Sequence, residues 1–119
     1  MKGLMRDQIL DADDMKLQTV EVPEWGGTVF VRVMSGAARD SWEVDTFISN
    51  GDDELANRHN IRARMVSRAA CDEDGVRLFS DADVEELGKK SSIALDRVYA
   101  AAFAINKLNR EDIEELEKN

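Results

Sequence analysis

Apolar residues alternate at period two along Thr19-Val20-Glu21-Val22-Pro23-Glu24-Trp25-Gly26-Gly27-Thr28-Val29-Phe30-Val31-Arg32-Val33, the signature of half-buried β-strands. Gly26 and Gly27 can both take the positive φ angles of a two-residue hairpin turn, so the stretch predicts a hairpin turning there. That loop length sets a register. Trp25 faces Thr28, Glu24 faces Val29, Pro23 faces Phe30, Val22 faces Val31, Glu21 faces Arg32 and Val20 faces Val33. One side then collects Val20, Val22, Val29, Val31 and Val33, and the other sets Glu21 against Arg32. A lone two-stranded hairpin is marginal in water, so the valine side must be covered by helices of its own chain or by a neighbouring copy.

Elsewhere the apolar spacing is helical. Residues 5–15 predict a short helix held weakly by Ile9 and Leu10. Ser35 can cap a helix over 36–48 that carries Ala37, Ala38, Ser41, Val44 and Ile48 on one side, with Trp42 and Phe47 widening it. The polar run 49–53 reads as a mobile loop. A helix over 54–70 follows, with Leu55, Ile61, Met65, Val66, Ala69 and Ala70 in one half of its wheel. Arg58 and Arg62 fall in the same half, which places them at its rim or against carboxylates. Asp72-Glu73-Asp74-Gly75 is a turn, 76–79 a short extended segment, and Ser80 caps a helix that stops near Gly88. Ser91 or Ser92 opens the longest helix, 93–108, with Leu95, Val98, Ala102, Ile105 and Leu108 in one stripe and Tyr99 and Phe103 beside it. Asn109 caps a last acidic helix whose large apolar groups are Ile113 and Leu116. The expected fold is mainly α, of the α+β class: a hairpin at about 19–33 packed with about five helices in a single domain, 1–119.

A chain of 119 residues suffices for one ordinary core. It has no apolar run of membrane-spanning length and no secretory h-region, so neither a membrane partner nor export is expected. Cys71 is the one cysteine, which excludes an internal disulfide and suits a reducing compartment. A net charge of −9 argues against nucleic acid as a partner. The signs are separated, however: acid gathers at 7–14, 72–74, 81–86 and 111–117, whereas Arg58, His59, Arg62, Arg64 and Arg68 make the middle basic. Such separation can join copies of one protein.

Catalytic and metal-binding patterns are missing from the sequence. One histidine and one cysteine make no metal cluster, and His59 and Cys71 lack the context of a nucleophile and its base; a surface histidine and a half-buried structural cysteine are expected. Asp72-Glu73-Asp74-Gly75 looks like the centre of a calcium loop, but aligning Gly75 with the invariant glycine puts Ala70 at the first ligand position and Arg77 inside the loop. No cofactor, metal or enzymatic activity is expected.

Taken in order, several segments resemble the tail assembly chaperones of long-tailed bacteriophages. These are Val20 through Arg32, Ser35-Gly36-Ala37-Ala38-Arg39-Asp40, Asn60-Ile61-Arg62-Ala63-Arg64-Met65-Val66, 71–80, 84–91, Leu108-Asn109 and the acidic tail 111–119. Ala38 departs from the pattern, since similar proteins tend to carry a glutamate there that completes a capping box with the serine. The resemblance implies a protein absent from the mature virion that acts in the host cytoplasm. It implies self-association, coating of the tape measure protein and recruitment of tail tube subunits. The basic helix with Arg58, Arg62, Arg64 and Arg68 would then face an acidic helix of the next copy. The valine face with Val20, Val22, Val29 and Val31 is the other candidate contact, and helix-in-groove recognition is the mode expected for the tape measure protein. Such proteins are often made in two lengths by a −1 ribosomal slip, and Glu117-Lys118-Asn119 can be encoded with the slippery run A-AAA-AAC. A small acidic adaptor or inhibitor that binds a basic protein is the alternative. A DNA-binding regulator that uses the arginine helix fits the charge poorly.

Overall fold

The computed structural model describes residues 3–47, 49–50, 53–54 and 58–108. It is an α+β fold. Helix α1 (Arg6–Asp11) precedes strand β1 (Leu17–Val22), a 3-10 turn (Pro23–Trp25), strand β2 (Gly27–Arg32) and helix α2 (Gly36–Thr46). Then come β3 (Ser49–Asn50), β4 (Asp53–Glu54), helix α3 (Ile61–Ala69), β5 (Ala70–Cys71), a second 3-10 turn (Asp81–Asp83), α4 (Val84–Leu87) and α5 (Ser92–Ile105). The sheet is antiparallel in the order β1-β2-β5, with Phe30 opposite Cys71 and Val31 opposite Ala70. Helix α5 lies across β1 and β2 and packs on α3, so the valine face is covered by helices of its own chain.

The hairpin forms, but its register differs from the expected one. Val20 faces Val29, Glu21 faces Thr28 and Val22 faces Gly27. Proline explains this. The expected register would place Pro23 inside the ladder, where it has no N–H to donate; instead its fixed φ opens the 3-10 turn. Gly26 closes that turn at φ 73°, its N–H donating to the Pro23 carbonyl over 3.0 Å. The partner of Val22 thus moves from Val31 to Gly27, four positions along. An even shift leaves every side chain on its original face, so Val22 and Val31 are still fully buried and Val20 and Val29 half-buried. The Glu21–Arg32 pair does not form. Arg32 sits opposite Leu17 and donates instead to the backbone carbonyls of Arg68 (3.4 Å) and Gly75 (3.2 Å).

Ser35 caps α2 as expected, its Oγ accepting from the Ala38 N–H at 3.1 Å. The buried side of α2 is not the expected one. Val44 is 69% exposed, while Trp42 and Thr46 are fully buried, because turning the helix to bury the indole removes more apolar surface from water than burying a valine. Ile48 lies outside the described residues. The polar segment expected as a mobile loop contains a short ladder, Ser49 opposite Glu54 and Asn50 opposite Asp53.

Helix α3 starts at Ile61, later than expected, because Asn60 stands in the left-handed region at φ 52°. Asp72 Oδ1 accepts from the N–H groups of Asp74 and Val76, both at 2.9 Å, so this carboxylate shapes its own turn. Gly75 completes that turn at φ 84°, and the chain returns to bridge Cys71 and Arg77. Cys71 is fully buried. Ser80 accepts its expected role, its N–H donating to Asp83 Oδ2 at 2.8 Å. Ser91 Oγ caps α5 through the N–H groups of Ile93 (3.2 Å) and Ala94 (3.3 Å). Leu95, Val98 and Ala102 point inward from α5, with Leu108 beyond its end. At that end Asn106 is buried, accepting from the Met34 N–H at 2.7 Å and donating to the Ala102 carbonyl at 2.9 Å. The acidic helix expected over 109–119 lies outside the described residues.

Candidate interaction surface

The four arginines of the basic segment do different things. Arg64 and Arg68 point inward, contrary to their expected place on an exposed contact face. Their guanidinium groups are satisfied by segments far away in sequence, which offsets the cost of burial. Arg64 donates through Nη1 to Thr46 Oγ1 at 2.9 Å and through Nε to the His59 carbonyl at 3.1 Å. Burial pulls its pKa below the usual arginine value, with Asp45 acting in the opposite direction. Arg68 folds back on its helix to the Arg64 carbonyl (3.2 Å) and reaches Ser41 Oγ (3.3 Å) and Asp45 Oδ2 (2.5 Å). Arg77 continues the network, with Nε to the Ser67 carbonyl and Nη2 to Asp81 Oδ1, both at 2.6 Å. These contacts fix α2, α3 and the segment before α4 to one another.

Arg58 and Arg62 remain on the surface. Arg62 Nε donates to Asp96 Oδ1 at 3.1 Å, and its guanidinium stands 5.7 Å from the centroid of Tyr99, a cation–π distance. It therefore sits at a rim and meets a carboxylate as well. His59 is exposed, 3.7 Å from Glu85. Val22 and Val31 are sealed beneath α5 and offer nothing to a partner; Val20 and Val29 stand at the margin of the same packed face.

The open surface lies on α5. Ile93, Asp96, Arg97, Ala100 and Ala104 face outward at helical spacing. Beside them Tyr99 and Phe103 are half-buried, ring centroids 4.8 Å apart in an edge-to-face arrangement. Tyr99, Ala100, Phe103, Ala104 and Leu108 line a shallow groove, with Asp96 at its polar end. Burial raises the Tyr99 pKa, keeping the phenol neutral. Arg97 leaves the same face to clamp Glu24 in the hairpin turn through two bonds of 2.8 and 2.9 Å. Sequence spacing sets Tyr99 and Phe103 beside the apolar stripe and gives neither a contact role; the structure leaves both half-buried at the edge of the core.

This surface has the chemistry of a protein contact: apolar, shallow, and bordered by paired charges. The family model described as phage tail assembly chaperone matches residues 5–119. Among solved structures the chain is similar to the tail assembly chaperone of bacteriophage HK97, with a TM-score of 0.57 and 25% identity over 83% of this chain and 94% of that one. No curated protein sequence matches. The ordered segments, the α+β architecture and the structural likeness agree, and the chain belongs to the phage tail assembly chaperone family, whose role is assembly and not catalysis.

Proposed function

We propose that this chaperone self-associates and coats the tape measure protein through the outer face of α5, and that it helps recruit tail tube subunits, mainly through a longer frameshifted form. It acts in the host cytoplasm and is left out of the virion. The observation that carries this reading is the groove of Tyr99, Ala100, Phe103, Ala104 and Leu108. Small residues at positions 100 and 104, four apart, let a partner helix come close, while the aromatic rings supply apolar contact at low entropic cost. Helix α5 extends about 20 Å, the length of roughly four helical turns of a partner. A long helical protein with apolar anchors spaced three and four apart fits such a groove.

The test is co-expression with tape measure fragments. Wild type is expected to hold the fragments in a soluble complex, and Ala100→Glu with Ala104→Glu to release them, since both positions are exposed and the changes leave the core intact. Circular dichroism of the variant checks that its fold persists. A folded variant that still forms the complex at wild-type yield overturns the assignment of α5.

A further inference from the structure

The sheet has one covered edge and one open edge. Beyond β5 the chain runs back alongside it, the Leu78 N–H donating to the Ala70 carbonyl at 3.1 Å and the Asp72 N–H to the Val76 carbonyl at 2.9 Å. On the far side β1 pairs with β2 and with no other strand among the described residues. The parity of its bonds follows from the Val33 N–H, which donates to the Lys16 carbonyl at 3.0 Å. Leu17 and Arg32 then form a wide pair, so Gln18, Val20 and Val22 bond to β2, while the N–H and C=O groups of Leu17, Thr19 and Glu21 point outward from the sheet edge.

Natural edge strands are blunted by proline, lysine, a bulge or a covering element. Leu17–Val22 holds no proline or lysine, its ladder with β2 is unbroken, and Gln18, Thr19 and Glu21 are exposed. The edge carries acid at both ends instead: Asp13 and Asp14 before the strand and Glu21 near its close, all exposed and none in an ion pair among the described residues. Lys16 is the one cation between them. That charge argues against a second copy as the occupant. The two-fold register that engages all three outward residues sets Thr19 opposite its own counterpart and leaves Glu21 facing a leucine. It also brings Asp14 towards the other copy's Glu24, between chains that each carry a net charge of −9.

We infer that β1 accepts an added strand: an extended segment of another protein, β-branched in its middle and bearing lysine or arginine at its ends, pairs with Leu17, Thr19 and Glu21 and becomes the outermost strand of the sheet. Main-chain bonds to the outward N–H and C=O groups supply the attachment, and the acid at the two ends selects the basic segment. On the α5 side of the sheet an apolar residue of the added strand covers the exposed part of Val20, which is half-buried. This contact is separate from the α5 groove and stands whether or not that groove holds the tape measure protein.

The probe is a fluorescein-labelled peptide of alternating valine and threonine with a lysine at each end, titrated into the full chain beside a control that carries glutamate at each end. The lysine peptide is expected to bind with a Kd below about 1 mM and roughly tenfold more tightly than the control. Amide hydrogen exchange locates it: Leu17, Thr19 and Glu21 slow on binding, whereas Gln18 and Val20, bonded to β2, are protected beforehand. Thr19→Pro removes one outward N–H and no bond to β2, and is expected to weaken binding about tenfold. Glu21→Lys, an exposed change that leaves the backbone alone, is expected to reverse the preference towards the glutamate peptide. A lysine peptide that fails to bind at about 1 mM, or binds without slowing those three amides, overturns the inference. Protection of the same amides in the free protein that rises with its concentration gives the edge to another copy, and overturns the assignment to a basic partner segment.

Discussion

Arg68 Nη2 lies 2.5 Å from Asp45 Oδ2, joining the last turn of α3 to the last turn of α2. The two partners are unequally placed: the Arg68 side chain is 5% exposed and that of Asp45 47%. Removing one is therefore not equivalent to removing the other. Without Asp45 the guanidinium stays buried with the carboxylate of Asp81, at 4.0 Å, the nearest that remains among the described residues. Without Arg68 the carboxylate stays hydrated.

Asp45→Ala is expected to destabilise the fold by roughly 1–3 kcal/mol, below the full cost of orphaning a buried charge because Asp81 and Ser41 remain. Arg68→Met, which fills most of the same volume with apolar atoms, is expected to cost less, about 1 kcal/mol. Urea unfolding with an unchanged m-value measures both. The reverse order would mean that Arg68 acts mainly through its bonds to Ser41 and the Arg64 carbonyl.

Acid unfolding tests the bond between the hairpin turn and α5. Arg97 donates two hydrogen bonds to Glu24 and holds its carboxyl pKa below the ordinary 4.5; Arg77 does the same for Asp81, below 3.8. A carboxyl whose folded pKa is depressed contributes stability above its unfolded value and loses it as pH falls through the folded one. Thermal stability is therefore expected to be level at neutral pH and to decline once pH drops below the ordinary carboxylate values. Glu24→Gln, with nothing to titrate there, is expected to start lower and decline less steeply. Unfolding curves between about pH 6 and pH 2 compare the slopes, and parallel slopes would remove Glu24 from the account.

The elements were legible in the sequence where one local signal dominates. Valine alternation marked the hairpin, and Ser35, Ser80 and Ser91 marked helix starts that the structure retains. The valine face survived a wrong register because the displacement was even. The arginines were not legible. Whether a guanidinium turns inward depends on acceptors at Ser41, Asp45, Thr46 and Asp81, which the chain brings together only once α2, α3 and the segment before α4 have packed. A helical wheel drawn for α3 alone contains none of them. The surface of α5 was hidden for a related reason: a helix apolar nearly all round has an outer face only after its neighbours have chosen the inner one.

The hairpin turn separates two adjacent glycines that look alike in sequence. Gly26 stands at φ 73°, in the left-handed region, whereas Gly27 is not at positive φ and begins β2. A Cβ added to either meets no atom within 4 Å, so only backbone preference distinguishes them. Gly26→Ala is expected to cost about 1 kcal/mol, lowering Tm by roughly 4 °C in a domain of this size, while Gly27→Ala stays within about 0.5 kcal/mol of wild type. A two-residue turn at Gly26-Gly27 would instead need positive φ at one or both central positions, and a type I′ turn would penalise both substitutions alike. Thermal unfolding of the two variants thus reads the register directly. If Gly27→Ala costs as much as Gly26→Ala, Pro23 is back in the ladder and Val22 again faces Val31.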